Sequence, residues 1–163
     1  MHKFAADTKA DALIILLQKN YFKGELKMIK ILIGKKGTGK TKTMIESVNA
    51  AGENAHGNVV FISNDTKRHM FDIKHNVRLV DTSAFVLKTY DEFYGFLCGL
   101  ISNNFDITNI YVDSVTKIVG EAAEGMDKFL EDVEKLCGQY NIEFLFTVSM
   151  DADTAPEYIK KYV

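Results

Sequence analysis

The sequence predicts an α/β domain with a mostly parallel central sheet covered by helices on both faces. Three observations carry this expectation. Short, near-continuous apolar runs rich in β-branched residues recur along the chain, amphipathic segments of helical period fall between them, and no repeat, low-complexity tract or proline-rich linker breaks the alternation. The chain has 163 residues, 47% of them apolar and 26% charged, a balance that suits one globular domain and excludes disordered, collagen-like and membrane-embedded classes.

The alternation begins only at Met28. Within residues 1–27, Thr8 and Asp11 are candidate caps for a short helix through Leu17. That stretch is either a docked helical extension or a start codon called too early, since Met28 opens the first core strand and Lys23, Gly24 and Glu25 can be encoded by a purine-rich stretch resembling a ribosome-binding site. The longest apolar run, 12–17, is far below the roughly 18 residues of a membrane span and lacks signal-peptide flanks, so a cytoplasmic protein is expected.

The core elements follow in order. Residues 28–33 (MIKILI) are a buried strand ending at a glycine, and 39–51 are a helix with Met44, Ile45, Val48 and Ala51 on its inner face. Residues 58–63 (NVVFIS) are a second buried strand, 66–76 carry little pattern, and 77–80 are a short edge strand. Thr89 and Glu92 form a capping box for a helix whose Phe93, Phe96, Leu97, Leu100 and Ile101 recur at helical spacing. A strand over 107–113, an amphipathic helix from Met126 to Tyr140 and a strand over 142–149 complete the set. With parallel strands, a ligand belongs at their carboxyl ends.

Between the first strand and the first helix stands Gly34, Lys35, Lys36, Gly37, Thr38, Gly39, Lys40 and Thr41, which satisfies G-x-x-x-x-G-K-[ST] in the context that pattern requires. Glycines let successive backbone N–H groups converge on an anion, and the helix N-terminus adds partial positive charge. The loop is therefore expected to hold phosphates, with Lys40 reaching the β- and γ-phosphates and Thr41 ligating Mg²⁺ through its hydroxyl.

On this motif the chain resembles the P-loop NTPases, which implies a three-layer α/β/α fold for a nucleotide-binding domain spanning 28–163. The apolar strand ending in Asp113 is similar to their Walker B strand, whose aspartate holds the Mg²⁺ shell, and this implies that role for Asp113. Within the superfamily the details resemble the RecA and KaiC group. Asp113, Ser114 and Val115 are similar to the Asp-Ser-hydrophobic triplet after their Walker B strand. The strand ending at Ser63 is similar to their second strand, whose terminal acid polarises the attacking water, which implies catalytic roles for Asp65 and, in the phosphate loop, Lys40. The 144–149 strand resembles the one that ends in a polar residue near the γ-phosphate, here Thr147 or Ser149. The chain departs from the family in having Asp where Glu is usual, and too short a tail for DNA-binding or oligomerising extensions. Lys35 falls where MinD and ParA relatives have a signature lysine, but Lys36 replaces their next glycine.

The resemblance implies an ATP-binding protein that hydrolyses ATP to ADP with Mg²⁺, as a homo-oligomer or with a protein partner, and slow turnover is expected because Arg68 and Arg78 are the only candidates for an arginine finger. The alternatives are a nucleotide-binding regulatory module without significant hydrolysis, and a nucleoside-type kinase. The net charge of −2 indicates neither nucleic acid nor membrane as a partner. Kinase chemistry that clamps phosphates with several arginines is poorly served by Arg68 and Arg78 alone. Residues 148–153 resemble the substrate-side loop of thymidine kinases, whose zinc-binding cysteines are absent. Lys67, Arg68, His69, Lys74, His75 and Arg78 form a basic cluster relieved only by Asp72, read as a solvated face or a contact with substrate, RNA or a neighbouring subunit. No histidine has ligand spacing, and Cys98 and Cys137 are expected to be packed hydrophobes.

Overall fold

The inner strands are largely apolar because both of their faces are covered. A computed structural model describes residues 28–163, and the expectations for the segment before Met28, including the helix through Leu17, lie outside the described residues. The elements are β1 (Ile29–Gly34), α1 (Lys40–Asn54), β2 (Asn58–Ser63), a 3-10 turn (Thr66–Arg68), β3 (Val77–Asp81), α2 (Tyr90–Ser102), β4 (Ile107–Val112), α3 (Val115–Val119), α4 (Met126–Tyr140), β5 (Glu143–Ser149) and α5 (Glu157–Lys160). The five strands form one sheet in the order β1-β5-β4-β2-β3, every pair parallel.

The period of two along each strand sorts the core into two clusters. Leu32, Val59, Phe61, Tyr111 and Leu145 meet Met44 and Val48 of α1 on one face. Their neighbours Ile31, Val60, Ile62, Ile110, Val112, Phe144 and Phe146 point the other way, into the larger cluster with α2 and α4. Helices thus cover both faces of the sheet, as the alternation predicts. The capping box of α2 is present: Glu92 N donates to Thr89 Oγ1 at 3.1 Å and Thr89 N donates to Glu92 Oε2 at 3.1 Å. Cys137 is buried, and desolvation pushes its thiol up to about 12; Cys98 is partly buried, and neither forms a disulfide. Among the described residues no helix is long and apolar enough to cross a membrane.

The sequence did not announce α3 or α5. Ala155, Ile159 and Tyr162 pack into the larger cluster, and Ile31 N of the edge strand β1 donates to Tyr162 O at 2.9 Å, so the last residues cover an edge that would otherwise present free backbone groups. The other edge, β3, is fastened by Asp81. Its carboxylate accepts from Thr66 Oγ1 at 2.8 Å and Ser83 N at 2.8 Å, joining the ends of β2 and β3.

Hydrogen bonds from Ser83, and then from Thr66, hold the Asp81 carboxyl down from 3.8 to about 2. The unfolded chain binds this proton more tightly, so the interaction stabilises the fold above the unfolded value and is lost as the pH falls through about 2. Asp81→Asn is expected to be less stable than the wild type near neutral pH, with the gap closing as the pH drops from about 4 to about 2, as measured by urea unfolding at each pH.

Candidate functional site

The carboxyl ends of β1, β5, β4 and β2 lie side by side, and the residues just beyond them form one polar cluster. Beyond β1, the chain turns through Gly37 at φ 82° and Gly39 at φ 87°, left-handed values that favour glycine. A Cβ at either position would meet nothing within 4 Å, so the backbone conformation, rather than crowding, accounts for the glycines. Gly39 offers α1 no side-chain cap, and among the described residues the amides of Lys40, Thr41 and Lys42 make no hydrogen bond, as expected for the orphan donors of a first helical turn.

Lys40 folds back over this loop. Its Nζ donates to Gly34 O at 2.7 Å and Lys35 O at 2.9 Å, while Thr38 Oγ1 donates to Lys35 O at 2.8 Å. Burial, and secondarily the positive charge of Lys117, lowers the Lys40 ammonium below its ordinary value, while the negative charge of Asp113 opposes the shift. Lys35 reaches across to the loop after β5, its Nζ 2.8 Å from Asp151 Oδ2. Lys36 is solvent-exposed.

Asp113 stands one residue beyond β4, with 7% of its side chain exposed. Its Oδ1 accepts from Thr41 Oγ1 at 3.1 Å and from Thr147 Oγ1 at 2.7 Å. Thr147 Oγ1 in turn accepts from Ser114 N at 2.7 Å. Ser114 has φ 56° and ψ 57°, a left-handed conformation that costs a non-glycine residue on the order of 1 kcal/mol. Donation to Thr147 helps offset that cost and keeps the turn after Asp113 tight.

A hydroxyl and a carboxylate are the hard oxygen donors that Mg²⁺ prefers, and two neighbouring ligands at about 2.1 Å from an octahedral ion lie about 3 Å apart. The 3.1 Å between Thr41 Oγ1 and Asp113 Oδ1 fits that requirement. Gly34, Gly37, Thr38, Gly39, Lys40, Thr41 and Asp113 are therefore brought together.

Asp65 is not part of this cluster. It is exposed, it precedes the 3-10 turn, and its backbone N donates to Ser63 Oγ at 3.1 Å. Of the two polar residues at the end of β5, Thr147 is buried against Asp113 and Ser149 is exposed. The basic cluster divides: Lys67, Arg68, Lys74, His75 and Arg78 are exposed, with Lys74 paired to Glu53, whereas His69 turns inward. Its Nε2 lies 3.8 Å from Asp113 Oδ2, with only 11% of the side chain exposed. His69 and Lys117 are site residues that spacing along the chain did not reveal. The signal for His69 lies in the sheet order, because β2 adjoins β4 and the segment after β2 therefore passes the end of β4, where Asp113 stands, with His69 rather than Asp65 turned inward.

Set against known proteins, the sequence matches no protein-family model and no curated protein.

Thr147→Val keeps the shape but leaves Ser114 N without its acceptor and Asp113 with one donor fewer. The expected loss is about 1–3 kcal/mol of stability by urea unfolding, with substantial recovery in Thr147→Ser. A loss no larger than that of a surface substitution would show that the hydroxyl does not hold the Asp113 turn.

Proposed function

We propose that this chain is an ATP-binding P-loop protein, a slow Mg²⁺-dependent ATPase with a RecA-like three-layer α/β/α core that acts with a partner. The observation that carries the proposal is the meeting of Thr41 and Asp113. These residues lie 72 positions apart, yet a hydroxyl at the end of a glycine loop touches a buried carboxylate at the end of an apolar strand two places along the sheet. The phosphate-loop pattern alone could be a capped turn. A carboxylate aimed at its threonine is what a nucleotide-bound cation requires.

In this reading the free amides at the start of α1 receive phosphate oxygens, aided by the partial positive charge of the helix end. Lys40 exchanges its two carbonyl acceptors for the more strongly bonding β- and γ-phosphate oxygens. Thr41 and Asp113 would hold the metal, and Thr147, which donates to the same carboxylate oxygen as Thr41, fixes the orientation of Asp113. When bound, Mg²⁺ would neutralise charge developing on the phosphoryl oxygens. Asp65, once ordered by a partner or a second copy, would orient the attacking water.

Two features argue for slow turnover. Arg68 and Arg78 are both exposed, so no guanidinium of the described residues joins the cluster, and a missing arginine finger commonly leaves such enzymes roughly 10³ to 10⁵-fold slow. Asp65 is also exposed, which favours, as the second reading, a module that binds nucleotide and turns it over negligibly. A partner or a second copy that supplies a cation and orders Asp65 would raise the rate.

Lys40→Ala is expected to abolish ATP binding measurable by calorimetry while leaving the circular dichroism spectrum unchanged, and unaltered affinity would reject the phosphate-loop assignment. Asp113→Asn should weaken binding more in Mg²⁺ than in its absence, because the carboxylate acts through the metal.

Turnover separates the two readings. Basal phosphate release should be slow, and Asp65→Ala should remove most of it while retaining ATP affinity. No detectable release from the wild type under any condition would favour the binding module. Undiminished release from the variant would remove Asp65 from the mechanism.

A further inference from the structure

His69 has no role in the function proposed above, yet it faces the centre of the site. Its backbone is fastened on both sides: His69 N donates to Thr66 O at 3.0 Å, and His69 O accepts from Asp72 N at 3.0 Å and Ile73 N at 3.2 Å. The imidazole meets the Phe61 ring edge-on, centroids 6.0 Å apart at 81°. The side chain is therefore placed rather than free, and it points at the one Asp113 oxygen that the two threonines leave open. Oδ1 accepts from Thr41 and Thr147, while Oδ2 faces His69 Nε2 across 3.8 Å.

That separation is too long for a hydrogen bond. It is close to the distance between two donors of one cation: bonds of about 2.1 Å place neighbouring ligands about 3 Å apart at a right angle and about 3.6 Å apart at 120°. The Thr41 hydroxyl, the Asp113 carboxylate and the His69 imidazole together form a mixed oxygen and nitrogen set. Imidazole nitrogen binds first-row transition ions in preference to Mg²⁺, whose ligands are oxygens.

We infer that His69 is a direct ligand of the nucleotide-associated cation and gives this site a preference for a transition-metal ion such as Mn²⁺ over Mg²⁺. This rests on the phosphate-loop reading and deepens it: Mg²⁺ supports nucleotide binding, and Mn²⁺ supports it better through a nitrogen ligand.

The test measures the affinity of a non-hydrolysable ATP analogue by calorimetry, with Mn²⁺ and with Mg²⁺, for the wild type and for His69→Ala. Comparing the two proteins cancels the intrinsic preference of the nucleotide for either ion. The wild-type ratio of Mn²⁺ to Mg²⁺ affinity should fall about tenfold or more in the variant, in line with the loss of a metal-site residue. Pulsed electron paramagnetic resonance of the wild-type Mn²⁺ complex should show the nitrogen coupling of a bound imidazole, changing on ¹⁵N-histidine labelling, so the decision does not depend on the variant folding. An Mn²⁺ complex without that coupling, or an unchanged ratio in a folded variant, overturns the inference while leaving Mg²⁺-dependent nucleotide binding intact. A wild type that binds the analogue with neither ion overturns the phosphate-loop reading as well.

Discussion

The Asp113 carboxylate is the constraint on which the site depends. A buried carboxylate is costly unless hydrogen bonds replace the water it has lost. Here the replacements come from two elements remote in sequence: Thr41 at the start of α1 and Thr147 near the end of β5. Two hydrogen bonds to one carboxylate oxygen therefore tie the glycine loop, β4 and β5 together. The turn after Asp113 is part of the same arrangement, because the left-handed Ser114 uses its amide to bond Thr147.

The sheet order makes this possible. β5 lies between β1 and β4, so Thr147 falls beside both the glycine loop and Asp113, and β2 lies on the far side of β4, so the segment after it approaches the second oxygen. Parallel strands bring all four carboxyl ends to one edge. The two apolar clusters on opposite faces hold the strand ends in register, which gives a handful of polar side chains a rigid support. The larger cluster also recruits Ile159 and Tyr162, so the segment that covers the β1 edge belongs to the same core.

Much of the architecture was legible along the chain because it is local. The near-continuous apolar runs of the strands, the capping box at Thr89 and Glu92 and the helical spacing of Met44 and Val48 each depend on neighbours within a few residues, and the structure contains all of them. What was not legible required knowing which strands pair. Thr147 and Ser149 have similar chemistry and lie on the same face of β5, but the pairing of Phe146 with Val112 sets Thr147 level with Asp113, so only the sheet decides between them. The short helices α3 and α5 carry too few turns to show a period, and their burial comes from packing against distant elements.

By itself, then, the sequence determined an α/β chain with a glycine loop between a buried strand and a helix, because period and motif are encoded by adjacent residues. The tertiary structure decided which side chains share one carboxylate. It placed Thr41 and Thr147 on one oxygen of Asp113 and His69 opposite the other, and left Asp65 in solvent. The physical reason is that strand order converts separations of tens of residues into contacts of a few ångströms, and no spacing along the chain records that order.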